Sequence, residues 1–135
     1  RLRATAELAE ALQLASGESV LQVRRVLSLG GVPTILEDMW LPASLFKGLT
    51  AEQLSEHQGP TYGLFERDFG VRMTRAEERV RATLPTAEQA ELLQVDPAMP
   101  LLQVERTSLT YNDKPVEIRK ALYRTDTHHY RNTLS

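Results

Sequence analysis

An internal repeat limits what this chain can fold into. Thr5-Ala6-Glu7 recurs as Thr86-Ala87-Glu88, Ala9-Glu10 as Ala90-Glu91, and Leu12-Gln13 as Leu93-Gln94. Leu21-Gln22-Val23 recurs as Leu102-Gln103-Val104, and Arg25 as Arg106. About half the positions across Thr5–Arg25 and Thr86–Arg106 are identical. Two copies are too few for a solenoid. They fit a duplicated α+β unit folded into one domain with approximate internal two-fold symmetry. The competing explanation is coincidence between two helix–turn–strand units of similar composition.

Each copy reads as a short helix, a turn and a long hairpin. In the first, Thr5 caps a helix over about Thr5–Gln13, whose stripe is Leu8, Ala11 and Leu12. Ser16-Gly17 ends that unit. Strands are expected near Val20–Leu29 and Pro33–Leu41, joined at Gly30-Gly31. In the second, Thr86 caps a helix to about Leu93, broken by Asp96-Pro97. Strands near Leu101–Thr110 and Pro115–Arg124 flank the turn dipeptide Asn112-Asp113. Between the copies, Pro42–Leu54 reads as short helical turns and Gln58-Gly59-Pro60 as a break. A helix over Tyr62–Phe69 stops at Gly70, and a strand is expected over about Val71–Leu84. The tail from His129 adds a final strand. Hairpins alternating with helices predict a mainly antiparallel sheet flanked by helices, in the α+β class.

Length and composition narrow the function. A chain of 135 residues with 41% apolar and 25% charged residues fits one soluble domain. The net charge is -2, with neither a basic balance nor a basic face, so the chain by itself is not expected to grip DNA. It has no cysteine, which excludes disulfides and thiolate metal sites and fits a cytoplasmic protein. No apolar run is long enough to span a membrane. The abrupt start at Arg1 suggests a fragment of a longer protein.

Charge placement points to a site. Strand side chains alternate, so Leu21, Val23, Leu27 and Leu29 share a face, and Arg25 lies among them. Leu102 and Val104 likewise share a face with Arg106, and Glu37 sits between Ile35 and Met39. A three-residue loop at Gly30-Gly31-Val32 places Glu37 directly opposite Arg25, whereas a two-residue loop does not. Charges on an apolar face need partners, because an unpaired buried charge costs several kcal/mol. Arg25 and Glu37 therefore form a structural ion pair or line a polar pocket. Arginine suits the second role, since its planar fork recognises carboxylate or phosphate.

These residues carry a family resemblance. Val20-Leu21-Gln22-Val23-Arg24-Arg25-Val26-Leu27, Gly30-Gly31-Val32-Pro33, Glu37 and Leu41-Pro42 resemble the UTRA domain. That is the effector-binding domain of the HutC-type branch of GntR transcriptional repressors. Tyr62-Gly63-Leu64-Phe65-Glu66, Phe69-Gly70-Val71, Thr74-Arg75-Ala76-Glu77 and Ala90-Glu91-Leu92-Leu93 extend it. Val104-Glu105-Arg106-Thr107, Pro115-Val116-Glu117 and Tyr123-Arg124-Thr125-Asp126 complete it. The resemblance implies a chorismate-lyase-like fold, a homodimer and a small-molecule effector. It also implies a separate winged helix-turn-helix domain that contacts DNA. Arg25 falls where an Arg meets an anionic ligand group, Glu37 where a Glu meets hydroxyl or amine groups, and Tyr62 in the helix that approaches the ligand. Three positions depart. Leu27 stands where sugar-phosphate binders carry a second Arg, Pro60 where they carry a Ser, and His128 where a Tyr is common. Losing those groups weakens a phosphate site, so a small anion, a carboxylate before a sugar phosphate, is the expected effector.

Arg106 and Glu117 are candidates to close the symmetry-related side. His128 is a candidate pocket hydrogen-bonder or a solvated loop residue. His128 and His129 point to opposite faces of a strand and are not expected to share a metal. No metal or other cofactor is expected. Arg72, Arg75, Arg79 and Arg81 interleave with Glu77 and Glu78 and read as a solvated face. Trp40 shares a face with Leu36 and reads as core or dimer interface. No serine sits in a nucleophile elbow and no glycine-rich phosphate loop is present, so catalysis is not expected. A chorismate-lyase-like enzyme and a ligand-free dimerisation module are the alternatives to a sensor.

Overall fold

The computed structural model describes residues 2–15, 17–57 and 61–133. The breaker at Gln58-Gly59-Pro60, the Pro60 departure and Ser16 lie outside them. The order is β1 (Leu2–Arg3), α1 (Ala6–Ala11), β2 (Ser19–Leu29), β3 (Val32–Pro42), α2 (Ala51–Glu56) and α3 (Thr61–Phe69). It continues with β4 (Arg75–Thr83), α4 (Ala87–Leu93), β5 (Leu101–Leu109), a short 3-10 turn at Tyr111–Asp113 and β6 (Pro115–Tyr123). The strands form one antiparallel sheet in the order β1-β2-β3-β6-β5-β4.

The repeat is visible in this order. Hairpins β2-β3 and β5-β6 are joined through β3 and β6, each with an outer strand. Thr5 and Thr86 both cap the following helix, accepting from Leu8 N and Gln89 N. Gln13 and Gln94, again equivalent, both take positive φ beyond the helix, at 54° and 55°. Even the sheet irregularities correspond: the registers shift between Leu27 and Ser28, and between Ser108 and Leu109.

That shift corrects the loop reading. Leu29 pairs with Val32, so the turn has two residues, not three. Gly30 and Gly31 have φ of 59° and 80°, a conformation that matches strand twist and that side chains disfavour. Thr34 is the extra residue of a β-bulge, and beyond it Arg25 pairs with Glu37. The expected pairing therefore holds, but through a turn plus a bulge.

Other boundaries differ from expectation. Val71–Thr74 runs outside the sheet before β4, because the Gly70 turn at α3 must first reverse the chain. There Val71 N donates to Phe65 O and Gly70 takes a φ of 66°. No strand forms from His129 to Thr133. Tyr130 is instead tied down by its side chain. The last hairpin closes over five residues, Thr110–Lys114, and Asn112-Asp113 lies within its 3-10 turn.

Both sheet faces carry apolar layers. On one, Met39 and Leu41 of β3 pack with Phe46, Leu54, Leu64, Phe65 and Val71, and Phe46 meets Phe65 edge-on at 4.8 Å. The helical spacing of Thr61, Leu64 and Phe65 turns that side of α3 inward. On the other, Leu12, the C-cap residue of α1, is buried with Val20 and Ile118, and α4 buries Leu93 with Leu36, Leu101 and Leu122. Trp40 is partly buried and packs against the Leu12 cluster. The α2–α3 layer covers the Leu21–Val23 end of β2, leaving a polar region of the same face beside α3.

Candidate ligand-binding site

A cavity of about 700 Å³ opens on that polar region. Its lining includes Arg25, Glu37, Tyr62, Arg106 and Arg119, with apolar walls at Leu27 and Leu54. Four strands and α3 deliver these groups. Arg25 stands opposite Glu37 across β2-β3, and Arg106 stands opposite Arg119 across β5-β6. Repeat-related arginines thus face an acid in one half and an arginine in the other.

The floor is a chain of ion pairs. Arg25 donates from Nε (3.2 Å) and Nη2 (2.5 Å) to Glu37 Oε1. The other Glu37 oxygen faces Arg119 Nη1 at 3.5 Å. Arg119 donates to Glu117 Oε2 from Nε (3.1 Å) and Nη2 (2.6 Å), and to Thr61 Oγ1 at 2.7 Å. Glu117 has no exposed surface, and its other oxygen accepts from Ser108 at 2.9 Å. Such burial is tolerable only because charge and hydrogen bonds are both supplied. Burial works against the Arg119 charge, but Glu117 and Glu37 outweigh it and raise its pKa above the usual arginine value.

A second branch meets the first at Tyr62. Arg106 donates from Nη1 to the Tyr62 hydroxyl at 2.6 Å and from Nε to Glu78 at 2.8 Å. The Tyr62 hydroxyl also bonds Ser108, 3.1 Å away. The Arg119 and Arg106 guanidiniums lie 5.3 and 5.8 Å from the Tyr62 ring centre, within cation–π range. Glu78 accepts from Tyr130 at 2.8 Å. Burial pushes the Glu78 pKa up, but Tyr130 and Arg106 bonds prevail and hold it below the usual glutamate value. Burial likewise opposes the Arg106 charge, and bonds to Tyr62 and Glu78 raise its pKa instead. Tyr123 is pushed up, first by burial and then by the Glu37 charge.

Chemically, three arginines balance three glutamates (Arg25, Arg106, Arg119 against Glu37, Glu78, Glu117). An entering anion must therefore compete with, or add to, existing pairs. Arg25 is best placed for that: its Nη1 hydrogen-bonds no described residue, and its side chain is 22% exposed.

Four of the six residues singled out from sequence line the cavity: Arg25, Glu37, Tyr62 and Arg106. Glu117 lies beneath it, behind Arg119. His128 is exposed, bonds Thr127 at 3.0 Å and does not line the cavity. Arg119, Thr61, Ser108, Glu78 and Tyr130 were not anticipated. Arg119 was within reach: the repeat makes the residue opposite Arg106 the counterpart of Glu37. The others depend on contacts between distant elements.

Residues 1–129 match the UTRA domain family. The chain belongs to that family. This UTRA domain is 35% identical over 125 residues to the HTH-type transcriptional repressor PhnF of Mycolicibacterium smegmatis, covering 93% of this chain and 50% of that protein. It is 28% identical over 134 residues to the repressor NagR of Bacillus subtilis, covering 97% of this chain and 54% of NagR. The chain thus spans about half the length of the curated relatives it matches. Among solved structures, the ligand-binding domain of a GntR-family regulator from Bordetella bronchiseptica superposes with a TM-score of 0.92. It is 53% identical, with 99% of this chain and 83% of that one covered. The UTRA domain therefore shares its fold and family with regulatory domains of transcriptional repressors.

Proposed function

We propose that this UTRA domain is the effector-sensing and dimerising part of a GntR-type repressor that works in the cytoplasm. DNA contact would belong to a separate winged helix-turn-helix domain. The observation that carries this reading is the cavity, whose polar floor sits on an otherwise apolar sheet face. A purely structural ion pair does not need about 700 Å³ of open space above it. That volume favours a sensor over a ligand-free dimerisation module.

The effector is a small carboxylate in preference to a sugar phosphate. Leu27 gives the cavity an apolar wall, while Arg106 and Arg119 are already committed to Glu78, Glu117 and Glu37. One monoanion can bind the free edge of Arg25, with Glu37 accepting from a ligand hydroxyl or amine. A phosphate dianion asks for more unspent donors than the described residues offer. Binding would reach α3 through Arg119, which ties Glu37 to Thr61, the first residue of that helix. Regulation follows if the ligand binds one arrangement of α3 better than another.

A thermal-shift screen of central metabolites, followed by calorimetry, tests this. A ligand at 100 times its Kd stabilises by about 2.7 kcal/mol. Arg25→Ala should abolish that shift without unfolding the domain. Unchanged binding by the variant would place the site elsewhere. Tight binding of hexosamine phosphates but not of carboxylates would overturn the ligand class.

A further inference from the structure

Strand β4 is exposed from Arg75 to Ala82 on both sides, and its outer edge is unpaired among the described residues. It places Glu78, a partner of the cavity's Arg106, on that edge. We propose that β4 pairs antiparallel with β4 of a second copy, with Arg79 on the two-fold axis. This rests on the dimeric reading above and assigns its interface.

Charge complementarity selects both the edge and the register. At the opposite end of the sheet β1 covers only Ser19 and Val20, and the rest of the β2 edge carries the adjacent Arg24 and Arg25 and no acid, so self-pairing there sets like charges together. β4 instead interleaves Arg75, Glu77, Glu78, Arg79 and Arg81. Two-fold antiparallel pairing keeps each residue on its own face, so registers differ in steps of two. Centred on Arg79, all nine residues of β4 overlap, Glu77 meets Arg81 twice, and Ala76 meets Ala82. Val80, 54% exposed in the single chain, then lies opposite Glu78 and beside Ala82 of its own strand.

The neighbouring registers fail. Centring on Glu78 sets it against itself and Arg75 against Arg81. Centring on Glu77 sets it against itself and Arg75 against Arg79. Centring on Val80 sets Arg79 against Arg81 twice. In the chosen register the sole like-charge meeting is Arg79 with its copy. That contact is prepared within the sheet. On the face away from the cavity, paired positions run Arg24–Asp38–Lys120–Glu105–Arg79, alternating in sign across five strands. Each Arg79 therefore has Glu105 beside it when the two rows meet. Exposed charges on an edge usually discourage pairing. Here their alternation admits one register and penalises its neighbours.

The consequence is a short path from cavity to interface. Arg106 lines the cavity and holds Glu78, which would sit opposite the second copy's Val80. A ligand that draws Arg106 away from Glu78 changes the charge presented at the interface.

Charge reversal tests the proposal. Glu77→Arg and Arg81→Glu are exposed substitutions, and unchanged circular dichroism checks that each variant folds. In sedimentation equilibrium the wild-type domain should be a dimer and each variant alone a monomer. Mixed in equal amounts, the variants should restore a dimer, which native mass spectrometry should identify as one copy of each. If Arg79→Glu in place of Arg81→Glu is the variant that restores pairing with Glu77→Arg, the register is wrong. A dimer unaffected by both substitutions places the interface elsewhere and leaves the dimeric sensor standing. A monomeric wild type overturns both.

Discussion

Replacing Arg119 by methionine should be the most damaging single substitution in the polar floor. The guanidinium makes both charge-assisted bonds to Glu117 Oε2, faces Glu37, and bonds Thr61 Oγ1. Methionine fills much of the volume and supplies no donor. Glu117, with no exposed surface, would keep only the 2.9 Å bond from Ser108. Removing one partner of a buried ion pair costs about 3–5 kcal/mol, because the remaining charge is stranded. For a domain of this size that is a fall in Tm of roughly 10–20 °C. Pairing Arg119→Met with Glu117→Gln removes the stranded charge while a Gln side-chain oxygen still accepts from Ser108. The double variant should recover about 2 kcal/mol or more relative to the sum of the singles. Urea denaturation of the four proteins in the cycle measures this. A loss below about 1 kcal/mol for Arg119→Met, or strict additivity, would refute the buried-pair reasoning.

Three further outcomes follow from the geometry. Glu78 has a folded-state pKa below its unfolded value, so its contribution is fully present above about pH 4.3. It is lost as pH falls through the folded value. The stability gap between wild type and Glu78→Gln should therefore close on acidification, and a gap that widens in acid would contradict the assignment. Gly31→Ala should cost about 1–2 kcal/mol in denaturant titration, because a φ of 80° strains any Cβ although nothing lies within 4 Å of it. A neutral result would mean the turn relaxes to another type. Thr86→Ala should cost about 0.5–2 kcal/mol by removing the capping box that starts α4, and Thr86→Ser should restore most of it.

Much of the fold was legible because local signals agreed with one another. The threonine caps, the two helices they start, and four long strands all lie within a few residues of their expected places. Strand alternation also put Arg25, Glu37 and Arg106 on suspicious faces, and the repeat connected two of them. What was missed needed contacts between distant elements. Thr61 meets the sheet only when α3 packs beside it, through its bond from Arg119. The tail pattern misled for the same reason: Tyr130 is held by its side chain, bonded to Glu78 and edge-on to the Tyr123 ring, without a strand ladder.

By itself the sequence determined the duplicated α+β plan, the family and the residue types of a polar site, since caps, alternation and turn glycines act over a few residues. Only tertiary structure decided the register and the wiring. A two-residue turn alone would have placed Arg25 opposite Leu36 and turned Glu37 toward the far face. The bulge at Thr34 restores the pairing, and no periodicity announces a bulge before the strands meet. Likewise, burial turned Glu117 from a candidate ligand contact into the buried anchor of Arg119. That assignment depends on which side chains exclude water from it, a property of the packed domain and not of neighbours in the chain.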